Sequence, residues 1–121
     1  MAHDVIEMKP SKIGLATVGS TMVLSPTESL THKNCEEFEA MFNECIEKHG
    51  AEIILDCKAV PFLDSEALEL LVRMNDEARG RGGALKIIGI NSVCREIFLA
   101  TRLINVFHLY KDVHDAIKSE L

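Results

Sequence analysis

The strongest constraint on the fold is that helical and strand-like hydrophobic patterns alternate along the chain. An amphipathic helix is predicted over residues 34–49, because apolar side chains recur there at helical spacing, and Gly50 marks its end. The apolar run at residues 53–55 predicts a strand that is buried on both faces. A second helix is expected from Asp64 to about Arg79, and a further buried strand at residues 84–88. This alternation favours parallel strands joined by helical crossovers.

The two ends of the chain complete the predicted order of elements. Residues 13–18 and 21–24 read as two strands around a tight turn, and Pro26 places the end of the second strand near a sheet edge or a bulge. Near the other end, a third helix capped by Asn91-Ser92 and a short strand at residues 106–109 are expected, followed by a final helix that begins after Asp112 and runs to Leu121. The predicted inner faces of these two helices comprise Val93, Cys94, Ile97 and Phe98, and Val113, Ala116, Ile117 and Leu121.

The fold class is therefore predicted to be α/β. We expect a mixed, mostly parallel sheet of four to five strands, with an N-terminal hairpin and about four helices. The 121 residues suit a single domain over residues 1–121, in which residues 1–10 form a loosely ordered segment or an edge strand.

Composition and charge argue against several classes of function. The net charge is −6 and the longest basic cluster is Arg79-Gly80-Arg81, so direct nucleic-acid binding is not expected. No apolar run is long enough to cross a membrane and no signal pattern opens the chain. We therefore expect a cytoplasmic protein without membrane insertion.

Cysteines, histidines and known catalytic motifs give no sign of a metal site, a cofactor or an enzyme. The four cysteines form no CxxC pair and are expected to be reduced, buried thiols. Among the five histidines the nearest approach to ligand spacing is His32 with Cys35, which we take as coincidence. Phosphate-binding and nucleophile-elbow motifs are absent from the sequence, and the glycines of Arg81-Gly-Gly are expected to form a turn with positive φ angles.

One short segment has a distinct chemistry. Asp64-Ser65-Glu66 opens the second helix, which places a hydroxyl and two carboxylates at the positive end of a helix dipole. A purely structural interpretation accounts for the same residues, since Asp and Ser are preferred caps and Glu is favoured in a first helical turn.

An ordered set of short motifs runs through most of the chain. The motifs are Leu55-Asp56, Val60-Pro-Phe-Leu-Asp64-Ser65, Leu68, Leu71, Gly82-Gly83, Leu99-Ala-Thr-Arg-Leu103, Val106-Phe107 and Tyr110. In their order and spacing these motifs resemble the STAS domain family, and the resemblance runs from about Ile13 to the end of the chain.

The resemblance implies a non-enzymatic interaction domain of the anti-sigma factor antagonist type. It implies an anti-sigma factor with serine kinase activity as partner, and a PP2C-type phosphatase as a further one. By position, Ser65 corresponds to the serine that such a kinase phosphorylates, and phosphorylation releases the partner. The implied binding surface combines the start of the second helix with the loop after the hairpin, and comprises Asp64, Ser65, Glu66, Glu69, Ser29, Leu30, Thr31 and His32.

The sequence also departs from the family pattern, which keeps alternatives open. Where the family often has Ser and Gly after the motif serine, this chain has Glu66 and Ala67, and Arg102 stands where the family has glycine. A scaffold subunit of a stressosome-like or membrane-transporter complex, without regulated phosphorylation, is therefore the alternative. A small enzyme or nucleotide binder is supported only by the general tendency of α/β folds to bind ligands at the carboxyl ends of their strands.

Overall fold

The computed structural model describes residues 12–119, in which five strands and four helices follow the predicted order. The sheet order is β1-β2-β3-β4-β5; β1 and β2 are antiparallel and every other neighbouring pair is parallel. The predicted α/β fold with an N-terminal hairpin is thus confirmed. The elements are β1 (Ile13–Val18), β2 (Thr21–Pro26), α1 (Cys35–His49), β3 (Glu52–Asp56), α2 (Ser65–Gly80), β4 (Ala84–Ile88), α3 (Ser92–Ala100), β5 (His108–Tyr110) and α4 (Val113–Lys118).

The two faces of the sheet are covered unequally. Helices α1, α2 and α3 pack on one face, where Leu24, Leu55 and Leu85 are fully buried in the main core. The other face is covered by α4, whose Ala116 packs in a second, smaller cluster that includes Ile54. All four cysteines are buried free thiols, as predicted. None of the helices in residues 12–119 is long and apolar enough to cross a membrane.

Four expectations about the C-terminal half were wrong in detail. Val93 is 51% exposed and Ile117 is 42% exposed, so neither lies on an inner face. The last strand begins two residues later than predicted, because Phe107 turns into the core and packs against Phe98 with ring centroids 5.4 Å apart. The last helix ends at Lys118, since Ser119 has an extended backbone, and so does not continue toward Leu121. The expectations for residues 1–10 and for the side chain of Leu121 lie outside the described residues.

The turn between α2 and β4 needs its glycines for two different reasons. Gly82 has a φ of 84°, as the sequence predicted for this turn. Gly83 instead lies so close to the backbone carbonyl of Ala51 that a Cβ would overlap it. The turn therefore brings the amino ends of β3 and β4 together at one edge of the sheet.

Candidate functional site

Two loops meet at the carboxyl ends of β2 and β3. The loop of residues 27–34 and the loop of residues 57–64 are joined by a parallel bridge between Leu30 and Leu63. The backbone N–H of Leu30 donates to the carbonyl of Phe62 at 3.2 Å, and the N–H of Asp64 donates to the carbonyl of Leu30 at 3.1 Å. The loop after the hairpin is thereby fixed beside the start of α2.

The carboxylate of Asp64 accepts hydrogen bonds from both the first turn of α2 and the neighbouring loop. Its Oδ1 accepts from the N–H of Ala67 at 2.9 Å, which confirms the predicted helix cap. Its Oδ2 accepts from the backbone N–H of His32 at 2.7 Å and lies 3.2 Å from His32 Nδ1. Partial burial would raise the pKa of Asp64, but the hydrogen bonds from Ala67 and His32 outweigh burial and lower it. The carboxylate is therefore held ionised.

Asn34 organises the same loop from its other end. The residue occupies the N-cap position of α1, but its side chain makes no capping hydrogen bond. Its Oδ1 instead accepts from the N–H of Thr31 at 2.9 Å, and its Nδ2 donates to the carbonyl of Ser29 at 2.8 Å. Nδ2 also donates to a carboxylate oxygen of Glu28 at 3.2 Å. The Asn34 side chain therefore stabilises the loop and does not cap the start of α1.

Ser65 is the first residue of α2 and its side chain is exposed. Because Asp64 caps the helix, the Ser65 hydroxyl is not needed for capping. Within residues 12–119 the Ser65 hydroxyl makes no hydrogen bond. A nucleophilic oxygen therefore lies free at the amino end of a 16-residue helix, beside a loop of fixed shape.

The surroundings of Ser65 are acidic. Glu66 and Glu69 are exposed on the first turns of α2, and Arg73 forms an ion pair of 3.6 Å with Glu39 of α1. The thiol of Cys35 is 7% exposed; burial first, and then the carboxylates of Asp64 and Glu66, raise its pKa. The thiol therefore stays protonated and is a poor nucleophile.

The structure places the eight residues predicted for partner binding at the start of α2 and in the loop of residues 27–34, but the residues differ in exposure. Ser65, Glu66, Glu69 and His32 are exposed, whereas Ser29, Thr31 and Asp64 are half-buried. Leu30 is only 1% exposed, so its side chain belongs to the core and it can affect a partner only through the loop it anchors.

Sequence reasoning missed Phe62, which is 45% exposed next to Asp64 on the same edge. The position of a large apolar residue directly before Leu63-Asp64 could have indicated an exposed ring beside the predicted binding surface. An exposed aromatic ring beside polar groups is a common anchor in protein interfaces. Within residues 12–119, no group of three or more His, Cys, Asp or Glu side chains has the arrangement of a metal site.

Comparisons with known proteins agree with this architecture. The family model described as "STAS domain" matches residues 12–116. A candidate anti-sigma factor antagonist from Thermotoga maritima superposes with a TM-score of 0.82 at 21% identity, covering 88% of this chain and 92% of that one. SpoIIAA of Bacillus, a cell fate determinant solved in its phosphorylated form, gives 0.67 at 20% identity, with coverages of 87% and 96%.

A membrane protein also contains this fold. The murine anion transporter Slc26a9 gives a TM-score of 0.71 at 16% identity, and the match covers 84% of this chain but 18% of the transporter. At these identities the structural matches establish the fold alone. No curated protein matches the sequence.

Proposed function

Because the chain belongs to the STAS domain family, we propose that it is a non-enzymatic regulatory domain whose binding to an anti-sigma factor with serine kinase activity is switched by phosphorylation of Ser65. The observation that carries this proposal is the exposed, unused hydroxyl of Ser65 at the start of α2. The similarity to anti-sigma factor antagonists, one of them solved in a phosphorylated form, supports the choice of partner.

The proposed partner surface is formed by the start of α2 and the loop fixed to it. Ser65, Glu66 and Glu69 contribute from the helix, and His32 and Thr31 contribute from the loop. Phe62 adds an apolar contact at the same edge. The acidic side chains favour a partner with basic groups opposite them.

Phosphorylation would act on the interface and leave the fold intact. A phosphate adds about −1.5 to −2 charges at one point. The free N–H groups and dipole at the start of α2 favour a negative group there, so the helix itself tolerates it. A partner surface shaped for a neutral hydroxyl would instead have to desolvate a dianion, which costs several kcal/mol.

Ser92 offers a matched control for the test. It is the exposed first residue of α3 and follows an Asx cap, as Ser65 does in α2. The protein is recovered from its host, and separately incubated with candidate anti-sigma kinases and ATP, and phosphate is located by mass spectrometry. We expect phosphate on Ser65 and none on Ser92. Repeated absence of phosphate from Ser65 under both conditions would remove the regulatory part of the proposal.

Binding measurements on Ser65→Asp and Ser92→Asp then test the switch. We expect Ser65→Asp to weaken partner binding by about tenfold or more, and Ser92→Asp to leave it unchanged. Both variants should keep thermal stability within about 1 kcal/mol of the parent, because an acidic residue is favourable in a first helical turn. Partner binding that is indifferent to Ser65→Asp, with recovery of scaffold or transporter subunits, would favour the scaffold alternative that Glu66 and Ala67 suggest.

A further inference from the structure

A groove lies open at the opposite edge of the sheet from Ser65. Its volume is about 670 Å³, and it lies at the amino ends of the parallel strands, on the face that α4 covers. Helix α4 is only six residues long, and within residues 12–119 this part of the face is left open. Ile54, Lys86 and His108, which are neighbours across β3, β4 and β5, line the groove together with Ala116, Ile117 and Ser119 of the α4 segment.

Lys86 is a buried cation in this groove. The residue is 8% exposed, and its Nζ donates to the carbonyl of Ala116 at 2.7 Å and to the carbonyl of Ser119 at 3.3 Å. Nζ also lies 5.7 Å from the centre of the Tyr110 ring. These contacts fix the ammonium at the end of α4, where carbonyl dipoles favour positive charge.

Among residues 12–119, hydrogen bonds use two of the three donors of Lys86. Within the same residues Lys86 forms no ion pair with a carboxylate, although buried charges in proteins are usually paired. A cation with a spare donor, next to an open groove, is suited to an anionic group.

We propose that this groove binds a small organic anion, whose carboxylate or phosphate accepts from Lys86 Nζ and whose apolar part lies along Ala116 and Ile117. His108 is half-buried beside Lys86 and supplies a second polar group. Arg79 lies at the rim and adds positive charge, whereas Glu52, the one carboxylate among the described lining residues, opposes an anion.

Titration followed by amide NMR tests the groove directly. The probes are hexanoate, hexyl phosphate, inorganic phosphate and the neutral analogue hexanol, at constant ionic strength. We expect the two organic anions to shift the amides of residues 84–86, 108 and 116–119 with dissociation constants of about 1–10 mM, and hexanol to bind about tenfold more weakly. The ratio between hexanoate and hexyl phosphate identifies the preferred head group.

Several results would overturn the proposal. Inorganic phosphate binding as tightly as hexyl phosphate would show that the apolar wall contributes nothing, which contradicts an organic ligand. Absence of localised shifts with either organic anion would show that the groove does not accept one. A groove already filled by the chain itself would also give no localised shifts, and it would overturn the proposal equally.

Charge variants distinguish an effect of the groove on anion binding from an effect of the protein's net charge. Glu52→Gln should tighten hexanoate binding by about two- to fivefold, because it removes the opposing carboxylate. Glu47→Gln on α1 makes the same change in net charge on an exposed helix elsewhere and should have no effect. Lys86→Met, once its amide spectrum confirms a folded protein, should reduce binding by about tenfold or more. Equal responses of the two glutamate variants, or unchanged binding in a folded Lys86→Met protein, would overturn the assignment.

Discussion

Helices α2 and α3 begin in nearly the same way, but among residues 12–119 only the cap of α2 bonds to the loop of residues 27–34. Each starts with an Asx cap followed by an exposed serine, Asp64-Ser65 in α2 and Asn91-Ser92 in α3. Each cap accepts from the N–H three residues later, at 2.9 Å in α2 and 2.7 Å in α3. The hydrogen bond from the cap to the first turn therefore does not distinguish Ser65 from Ser92.

The two caps differ in the bonding partner of their second side-chain polar atom. Asp64 Oδ2 accepts from His32 in the loop after the hairpin, whereas Asn91 Nδ2 donates to the carbonyl of Pro61 at 3.2 Å and that of Val60 at 3.4 Å. The α2 cap is an anion, and the α3 cap is neutral. The comparison teaches that two helix starts with the same capping bond differ in what they can offer to a partner, because their caps differ in charge and bond to different loops.

Removing the two caps should give the largest contrast in stability. Asp64→Ala removes the helix cap and the link to His32, and should lower the free energy of unfolding by about 2 kcal/mol. Asn91→Ala removes a neutral cap with longer secondary bonds, and should lower it by about 1 kcal/mol. Urea denaturation of both variants gives the two values. An Asp64→Ala protein as stable as Asn91→Ala would show that the charged link between the loops contributes nothing.

We expect low pH to reduce the stability that the Asp64 cap contributes and to leave the contribution of the Asn91 cap unchanged. The pKa of Asp64 is lowered in the folded protein, so its contribution to stability is present above its ordinary pKa near 3.8 and is lost as pH falls through the folded value. The stability difference between the parent and Asp64→Asn should therefore shrink as pH falls from about 6 to about 3. Asn91 does not titrate, so the difference between the parent and Asn91→Ala should stay constant over that range. A constant difference for Asp64→Asn as well would contradict the lowered pKa.

The sequence predicted the helix starts better than it predicted their surroundings. Asp64 and Asn91 were recognisable as caps because capping depends on residues three apart in the chain. The bond from Asp64 to His32 was not recognisable, because it joins residues 32 positions apart that meet only when the strands pair. A different limit applies to Asn34, whose side chain bonds to residues three to six positions away in its own loop and not to the helix. Helical spacing alone also did not show that Ile117 would be exposed on the six-residue α4.

The ends of the two helices differ in a way that allows a further test. After α2 the left-handed backbone position is Gly82, with a φ of 84°; after α3 it is Arg102, with a φ of 64°. A side chain in this conformation costs roughly 1–2 kcal/mol, whereas glycine adopts it freely but loses more entropy on folding. Arg102→Gly should therefore raise the free energy of unfolding by about 0.5–1 kcal/mol.

The reverse substitution at the end of α2 provides the control for this last prediction. Gly82→Ala places a side chain at a positive φ in open space, with nothing within 4 Å of the added Cβ, so any loss reports backbone strain alone. We expect a loss of about 1 kcal/mol by thermal or urea unfolding. If Arg102→Gly destabilised the protein while Gly82→Ala also did, the arginine side chain would be making a stabilising contact that outweighs its strain. The ends of α2 and α3 would then differ in packing and not only in backbone conformation.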